Sequence, residues 1–337
     1  MPLRRRLMIH VGAHRTATTS TQKFLNANGP GLLAQGVLYP YRESRHLKVM
    51  NRLFAGNLSP AELADDLKKR ANGRPGRVHT IVLSDEDIVM RRDLGPLARL
   101  SDWFDVTILY TLRRQDLWLE SWYFQNVKWQ WDRALAHLTF DQFLARRDRF
   151  HWIHYDACLR HLEGLFGQEN IRLGVFEKGQ MPKGPVIELA ERIGLTDLES
   201  FSEPPHINSS MSAEVVELAR RLPLDLLEPP DRHVLRRALE ALDRDVLGNT
   251  GKQSERLLDR RARERVLKDY AAGNRAVAQR YFDRDDLFLE PLPERGAPLA
   301  KLEIPADSAT LIDRLVAPLL LQMIAQGRTP DDTPPDP

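Results

Sequence analysis

The chain has 337 residues, of which 42% are hydrophobic and 28% charged, as in ordinary globular proteins. Its 49 basic and 47 acidic residues leave a formal net charge of +2, which argues against a global nucleic-acid or membrane binder. Cys158 is the single cysteine, which excludes an intramolecular disulfide framework and a cysteine-based structural zinc site. A reducing, cytoplasmic location is the simplest expectation.

The N-terminal run Leu7–Val11 predicts a buried strand that ends at Gly12. The alternative, a membrane span, is excluded because the apolar run is too short. A helix is expected from Thr18 to about Ala27, where the sequence Asn-Gly-Pro-Gly breaks it. Further apolar runs predict strands at 37–40, 79–83, 106–112 and 171–176. Helix-compatible segments separate them, the clearest at 185–193.

Apolar strands that alternate with helices predict an α/β fold, a three-layer parallel β-sheet flanked by helices. From about residue 204 helical patterns dominate, which predicts a mainly helical C-terminal extension. We therefore expect an α/β core at 1–203, a helical part of the same domain at 204–328, and a disordered tail at 329–337. Ligands of such sheets bind at the carboxyl ends of the strands.

The turn after the first strand has the character of a phosphate loop. It joins a strand to a helix, where backbone N–H groups and the helix N-terminus favour an anion. Side-chain donors come from Arg15 and four hydroxyls: Thr16, Thr18, Thr19 and Ser20. A nucleotide-triphosphatase loop has the pattern G-x-x-x-x-G-K-[ST]. When this pattern is aligned on Gly12, Ala17 occupies the position of the second glycine and Thr18 that of the lysine. A conventional ATPase or GTPase is therefore disfavoured.

The segment IHVGAHRTATTSTQ resembles the 5′-phosphosulfate loop of sulfotransferases that use 3′-phosphoadenosine-5′-phosphosulfate (PAPS). It is closest to a bacterial branch with the pattern H-x-G-x-x-K-T-G-T-T-S, from which Arg15 and Ala17 depart. The resemblance implies the P-loop-like sulfotransferase fold, PAPS as co-substrate and no required metal. It also implies that the nucleotide is bound by His14, Arg15, Thr16, Ala17, Thr18, Thr19 and Ser20. In the family the lysine at this position contacts the phosphosulfate and helps the leaving group, so the resemblance also makes Arg15 a catalytic candidate. Arginine keeps the positive charge but cannot donate a proton.

A second motif follows the strand at 106–112. Arg113 stands at the strand end and Ser121 eight positions later, so both could reach one dianionic group. The sulfotransferase family is similar at this spacing, where an arginine and a serine hold the 3′-phosphate. The resemblance therefore assigns Arg113 and Ser121 to the nucleotide site.

The acidic turn Ser84-Asp85-Glu86-Asp87 is the expected position of a general base. This turn is similar to that of glycan sulfotransferases, which use a glutamate as the general base. The resemblance makes Glu86 the first candidate and Asp85 the second. An acidic helix cap is the structural alternative. His14 and His46 are the histidine alternatives, since cytosolic members of the family use a histidine.

The predicted reaction is transfer of a sulfuryl group from PAPS to a hydroxyl acceptor by in-line displacement. The bacterial branch favours a carbohydrate or glycolipid acceptor, and a lipid-linked acceptor would bring the protein to a membrane surface. A P-loop-type kinase or nucleotide hydrolase, and a catalytically inactive nucleotide-binding protein, remain the alternatives. Scattered histidines and the lack of a concentrated basic face argue against a metalloenzyme and a nucleic-acid partner.

Overall fold

The computed structural model describes residues 4–199, 201–202, 211–249 and 256–327. The chain divides into two compact units, each assembled from three segments. Unit 1 comprises Met1–Trp118, Arg149–His206 and Arg265–Pro291. Unit 2 comprises Leu119–Asp148, Ile207–Glu264 and Leu292–Pro337. The predicted domain bounds stay a prediction, and the predicted tail at 329–337 lies outside the described residues.

Unit 1 contains a five-stranded parallel sheet. Its strands are β1 (Arg6–Gly12), β2 (Val37–Leu38), β3 (Thr80–Ser84), β4 (Asp105–Leu112) and β5 (Ile171–Val175). They are ordered β2-β3-β1-β4-β5, and every neighbouring pair is parallel. Leu7 is in register with Ile81 of β3 on one side and with Val106 of β4 on the other, so β1 is the central strand. The predicted α/β fold with a parallel sheet is confirmed.

Fifteen α-helices lie in the described residues. They are α1 (Thr18–Ala27), α2 (Gly29–Ala34), α3 (Leu47–Phe54), α4 (Pro60–Asn72), α5 (Gly95–Ala98), α6 (Gln115–Trp129), α7 (Arg133–Ala136), α8 (Phe140–Leu144), α9 (Tyr155–Phe166), α10 (Pro185–Ile193), α11 (Ala213–Arg221), α12 (Pro229–Ala241), α13 (Arg260–Phe282), α14 (Ser308–Leu311) and α15 (Ala317–Gly327). Short π-helical stretches follow α12 and α14, at Leu242–Val246 and Ile312–Val316.

Of two local expectations, the end of α1 at Ala27 is confirmed, and the strand at 37–40 differs from the structure. The Asn-Gly-Pro-Gly break separates two helices, because Pro30 lies in the first turn of α2, where its missing N–H costs no hydrogen bond. The strand expected at 37–40 is only Val37–Leu38. It pairs with β3 alone, as an edge strand, and Pro40 has no N–H to extend the ladder.

The core of unit 1 forms where helices cover the sheet. Met8, Val82 and Leu109 come from the three central strands, and Phe24 of α1 and Leu189 of α10 pack against them. All five side chains are buried. Burying each large apolar side chain contributes about 2 kcal/mol to the free energy of unfolding. This packed layer therefore fixes the position of α1 relative to the sheet.

Unit 2 is helical in its described residues, which agrees with the predicted helical C-terminal region. Its interior holds a buried ion pair: Arg263 Nη2 lies 2.8 Å from both carboxylate oxygens of Glu120. The helical run Ser308–Gly327 has a mean hydropathy of 1.4 and is long and apolar enough to cross a membrane by length and composition alone. Leu320, Leu321 and Ile324 are exposed on it.

Candidate functional site

The loop between β1 and α1 is held by hydrogen bonds and contains two residues with a strained backbone. Thr16 Oγ1 donates to the Ala13 carbonyl at 2.6 Å, and the Ala13 N–H donates to the Thr111 carbonyl of β4 at 3.3 Å. Arg15 and Ala17 have left-handed φ angles of 67° and 62°. Such a backbone costs a non-glycine residue about 1 kcal/mol. Strain of this kind is concentrated at functional sites, and at Ala17 a glycine would adopt the same backbone without the cost.

The N-terminus of α1 faces this loop without a side-chain cap. Ala17 occupies the N-cap position and makes no side-chain hydrogen bond to the first turn. Backbone N–H groups at an uncapped helix start carry partial positive charge and favour an anion. Thr18 is buried, Ser20 half-buried and Thr19 exposed. The predicted phosphate loop therefore has the donor chemistry that an anion needs.

Gly12 allows the turn after β3 to lie directly against this loop. Its φ is 94°, and a Cβ at this position would lie 2.9 Å from the Cβ of Glu86 and 3.0 Å from its Cα. Both distances are too short for any larger residue. The close approach brings the predicted base candidate beside the end of β1.

Arg45 holds the acidic turn together. Its guanidinium lies 2.7 Å from Asp85 Oδ1, 2.6 Å from Asp87 Oδ2 and 3.5 Å from Glu86 Oε1. Burial alone would lower the pKa of Arg45, but the three carboxylates raise it above its ordinary value. Burial raises the pKa of Asp85 in spite of the arginine. Burial would also raise the pKa of Asp87, but hydrogen bonds from His14 and Arg45 lower it.

Glu86 connects the acidic turn to α1. One of its carboxylate oxygens accepts a hydrogen bond from Gln22 Nε2, and Gln22 also donates to Ser84 Oγ at 3.2 Å. Glu86 is 6% exposed, whereas Asp85 is fully buried. Of the two predicted bases, Glu86 therefore has the better access to a substrate, and Asp85 mainly neutralises Arg45.

His14 connects the phosphate loop with the acidic turn. Its Nε2 lies 2.7 Å from Asp87 Oδ1, and its backbone carbonyl accepts a hydrogen bond from Trp118 Nε1 at 3.0 Å. The ring is buried. Both contacts fix the loop, which gives His14 a positioning role in this structure.

His46 is buried and held as a neutral ring. Its Nδ1 accepts a hydrogen bond from the Ser84 N–H at 3.2 Å, which puts the ring proton on Nε2. Burial lowers the pKa of His46 to about 3, and the ring packs against Tyr39 and Tyr41. Its acceptor nitrogen is occupied, so the geometry argues against His46 as the general base.

Arg113 joins the turn after β4 to the phosphate loop. Its Nη1 donates to the Arg15 carbonyl at 2.6 Å, across 98 positions of sequence. The Tyr155 hydroxyl accepts from the Arg113 N–H and donates to the Arg113 carbonyl, which fixes the backbone. Ser121 is half-buried on α6 and belongs to unit 2. A joint role with Arg113 stays a prediction.

The structure thus brings together three turns at the carboxyl edge of the sheet, those after β1, β3 and β4. Sequence reasoning missed Arg45 and Gln22. Three consecutive carboxylates were a signal that a cation must lie nearby, but nothing in the sequence selected Arg45 from the other arginines. Among the described residues, no group of three or more histidine, cysteine or acidic side chains is arranged to hold a metal ion.

Comparisons with known proteins give little direct guidance. The chain matches no known family profile. It is 26% identical over 184 residues to an uncharacterized protein of Archaeoglobus fulgidus, a match that covers 54% of this chain and 47% of that protein. The chain thus spans about half the length of the curated relative it matches.

Among solved structures, the fold is similar to a sulfotransferase from Alicyclobacillus acidocaldarius. The TM-score is 0.39 at 18% sequence identity, over 59% of this chain and 87% of that one.

Proposed function

We propose that this chain is a sulfotransferase that moves a sulfuryl group from PAPS to the hydroxyl of a carbohydrate or glycolipid acceptor. The observation that carries the proposal is the 2.6 Å hydrogen bond from Arg113 Nη1 to the Arg15 carbonyl. This hydrogen bond joins the two motifs that resemble the 5′-phosphosulfate and 3′-phosphate sites of sulfotransferases. A nucleotide phosphorylated at both ends needs this adjacency.

The residues present suit such a nucleotide chemically. The uncapped start of α1 and the Arg15 guanidinium would hold the 5′-phosphosulfate, and Arg113 would hold the 3′-phosphate. Burial lowers the pKa of Arg15 from its ordinary value, which reflects the cost of keeping a cation there. A bound dianion would offset that cost.

Bound PAPS would supply the sulfuryl group and a phosphate leaving group. The acceptor oxygen would bond to sulfur as the bond from sulfur to the phosphate oxygen breaks. Glu86 would accept the hydroxyl proton, since it is the less buried of the two candidate carboxylates. Arg15 and the N–H groups of α1 would stabilise the charge that develops on the departing phosphate, without donating a proton.

The first test is titration calorimetry with 3′-phosphoadenosine-5′-phosphate, AMP and ATP with Mg²⁺. Wild type is compared with Arg113→Ala and with Arg275→Ala, which removes an exposed arginine elsewhere in unit 1. We expect Arg113→Ala to weaken binding of the bisphosphate by about tenfold or more, because a charge-assisted bidentate contact is lost. Binding of AMP, which has no 3′-phosphate, should change little. Arg275→Ala should bind like wild type.

Two results would overturn the proposal. One is stronger binding of ATP with Mg²⁺ than of the bisphosphate, which would favour a kinase or nucleotide hydrolase. The other is an equal loss of AMP and bisphosphate in Arg113→Ala, which would mean that Arg113 only supports the loop through the Arg15 carbonyl.

The base assignment has its own test. Release of 3′-phosphoadenosine-5′-phosphate from PAPS is measured with a panel of carbohydrate acceptors. We expect Glu86→Gln to lower kcat by roughly 10²- to 10⁴-fold while affinity for the bisphosphate is unchanged. If Asp85→Asn had this effect and Glu86→Gln did not, the two assignments would be exchanged.

A further inference from the structure

A second cleft lies at the opposite edge of the sheet, where β1, β3 and β4 begin. Its volume is about 500 Å³, within the range of small-molecule sites. Since β1 has seven residues, this edge is roughly 20 Å from the phosphate loop. The sulfotransferase proposal assigns no role to it.

The charge of this cleft is strongly one-sided. Its walls include one carboxylate and five cationic side chains: Asp105, Arg4, Arg5, Arg6, Lys68 and Arg77. The walls of the cleft therefore carry a larger excess of positive charge than the whole chain, whose net charge is +2. A concave surface of one sign focuses its field and attracts ions of the opposite sign.

The arginines of the cleft are not neutralised by acidic partners. Arg4 donates to the Ser101 and Asp102 carbonyls at 2.9 and 3.0 Å. Arg5 donates to the Val78 carbonyl at 2.9 Å and to an asparagine side chain. These neutral acceptors orient the guanidinium groups and leave their charge uncompensated.

Arg6 and Arg77 supply the contacts that a ligand would use. Both are exposed, and neither side chain forms a hydrogen bond or ion pair within the described part of the chain. Lys68 lies 5.9 Å from the ring of Trp103, at the aromatic wall of the cleft, and 3.8 Å from Asp65. That exposed pair is weak, so Lys68 adds to the positive field.

We propose that this cleft is a second anion-binding site, for a ligand that carries two or more phosphate or sulfate groups. One such group would occupy only part of a 500 Å³ cleft and would use one or two guanidinium groups. A ligand with several groups matches both the volume and the number of cations. The inference is independent of the sulfotransferase proposal.

The test uses the full chain and titration calorimetry at low salt, with inorganic tripolyphosphate in one arm and a persulfated disaccharide in the other. Wild type is compared with Arg6→Ala/Arg77→Ala. The matched control is Arg265→Ala/Arg275→Ala, which removes two exposed arginines of α13, also in unit 1. Both variants lose the same charge.

We expect wild type to bind at least one probe, more weakly as salt rises. The Kd should increase about tenfold or more in Arg6→Ala/Arg77→Ala and stay near wild type in the control. The preferred probe would identify a phosphate or a sulfate ligand. Binding of neither probe, or an equal loss in both variants, would overturn the proposal. Affinity for 3′-phosphoadenosine-5′-phosphate should be the same in all three proteins, which separates this result from the sulfotransferase test.

Discussion

Acidification from pH 7 to pH 5 should destabilise unit 1 through His46. The pKa of this buried ring is about 3, against an ordinary value of 6.5. Because the folded pKa lies below the unfolded one, the unfolded chain takes up the proton first. The stability that His46 contributes is therefore complete above pH 6.5 and is lost as the pH falls from 6.5 towards 3.

The size of the effect follows from the same two values. At pH 5 the unfolded histidine is 1.5 pH units below its pKa of 6.5. Each unit corresponds to about 1.4 kcal/mol, so the free energy of unfolding should fall by about 2 kcal/mol. His10 should contribute a similar loss, since burial and the charge of Arg192 lower its pKa to about 3.

The assay is urea unfolding at both pH values, followed by far-UV circular dichroism. His46→Asn keeps an acceptor for the Ser84 N–H but does not titrate, so its loss of stability between pH 7 and pH 5 should be about 2 kcal/mol smaller than that of wild type. His161→Asn, at an exposed position of α9, should behave like wild type. Equal losses in wild type and His46→Asn would refute the argument that the ring is buried and neutral.

Two further substitutions test the packing of each unit. Gly12→Ala adds a Cβ 2.9 Å from that of Glu86 and should cost about 3 kcal/mol by thermal unfolding, whereas Gly76→Ala, with a similar φ and open space, should cost about 1 kcal/mol. Similar costs would show that the close approach is absent. Glu120→Gln leaves a buried guanidinium unneutralised and should cost about 3 kcal/mol by urea unfolding, against under about 0.5 kcal/mol for the exposed Glu264→Gln. A small effect at Glu120 would mean that water reaches the pair.

The strands and two of the helices could be predicted because their signals are local. A run such as Leu7–Val11, apolar at every position except His10, is typical of a strand covered on both faces. The end of α1 is predicted by Gly29 and Pro30, which follow it, and the bounds of α10 by Pro185 at its start and Gly194 after its end. The division of the chain into two units is not a local property, since each unit is assembled from three distant segments.

The candidate site was predictable to the extent that strand ends determine it. The three turns meet because parallel strands place their carboxyl ends on one edge. Arg45 could not be predicted, since it reaches the acidic turn from 40 residues away. The left-handed backbone at Ala17 was also hidden, because alanine gives no sign of a positive φ.

The position of β1 has a consequence for how the chain is made. Of the five strands of the sheet, the central strand β1 is synthesised before the others, and its partners β3 and β4 begin only at Thr80 and Asp105. Until β3 has left the ribosome, β1 has nothing to pair with, and its second edge stays open until β4 follows. Slow, long-range pairing of this kind exposes a nascent chain to aggregation, so folding in the cell should depend on chaperones that cover β1 until β3 and β4 have been made.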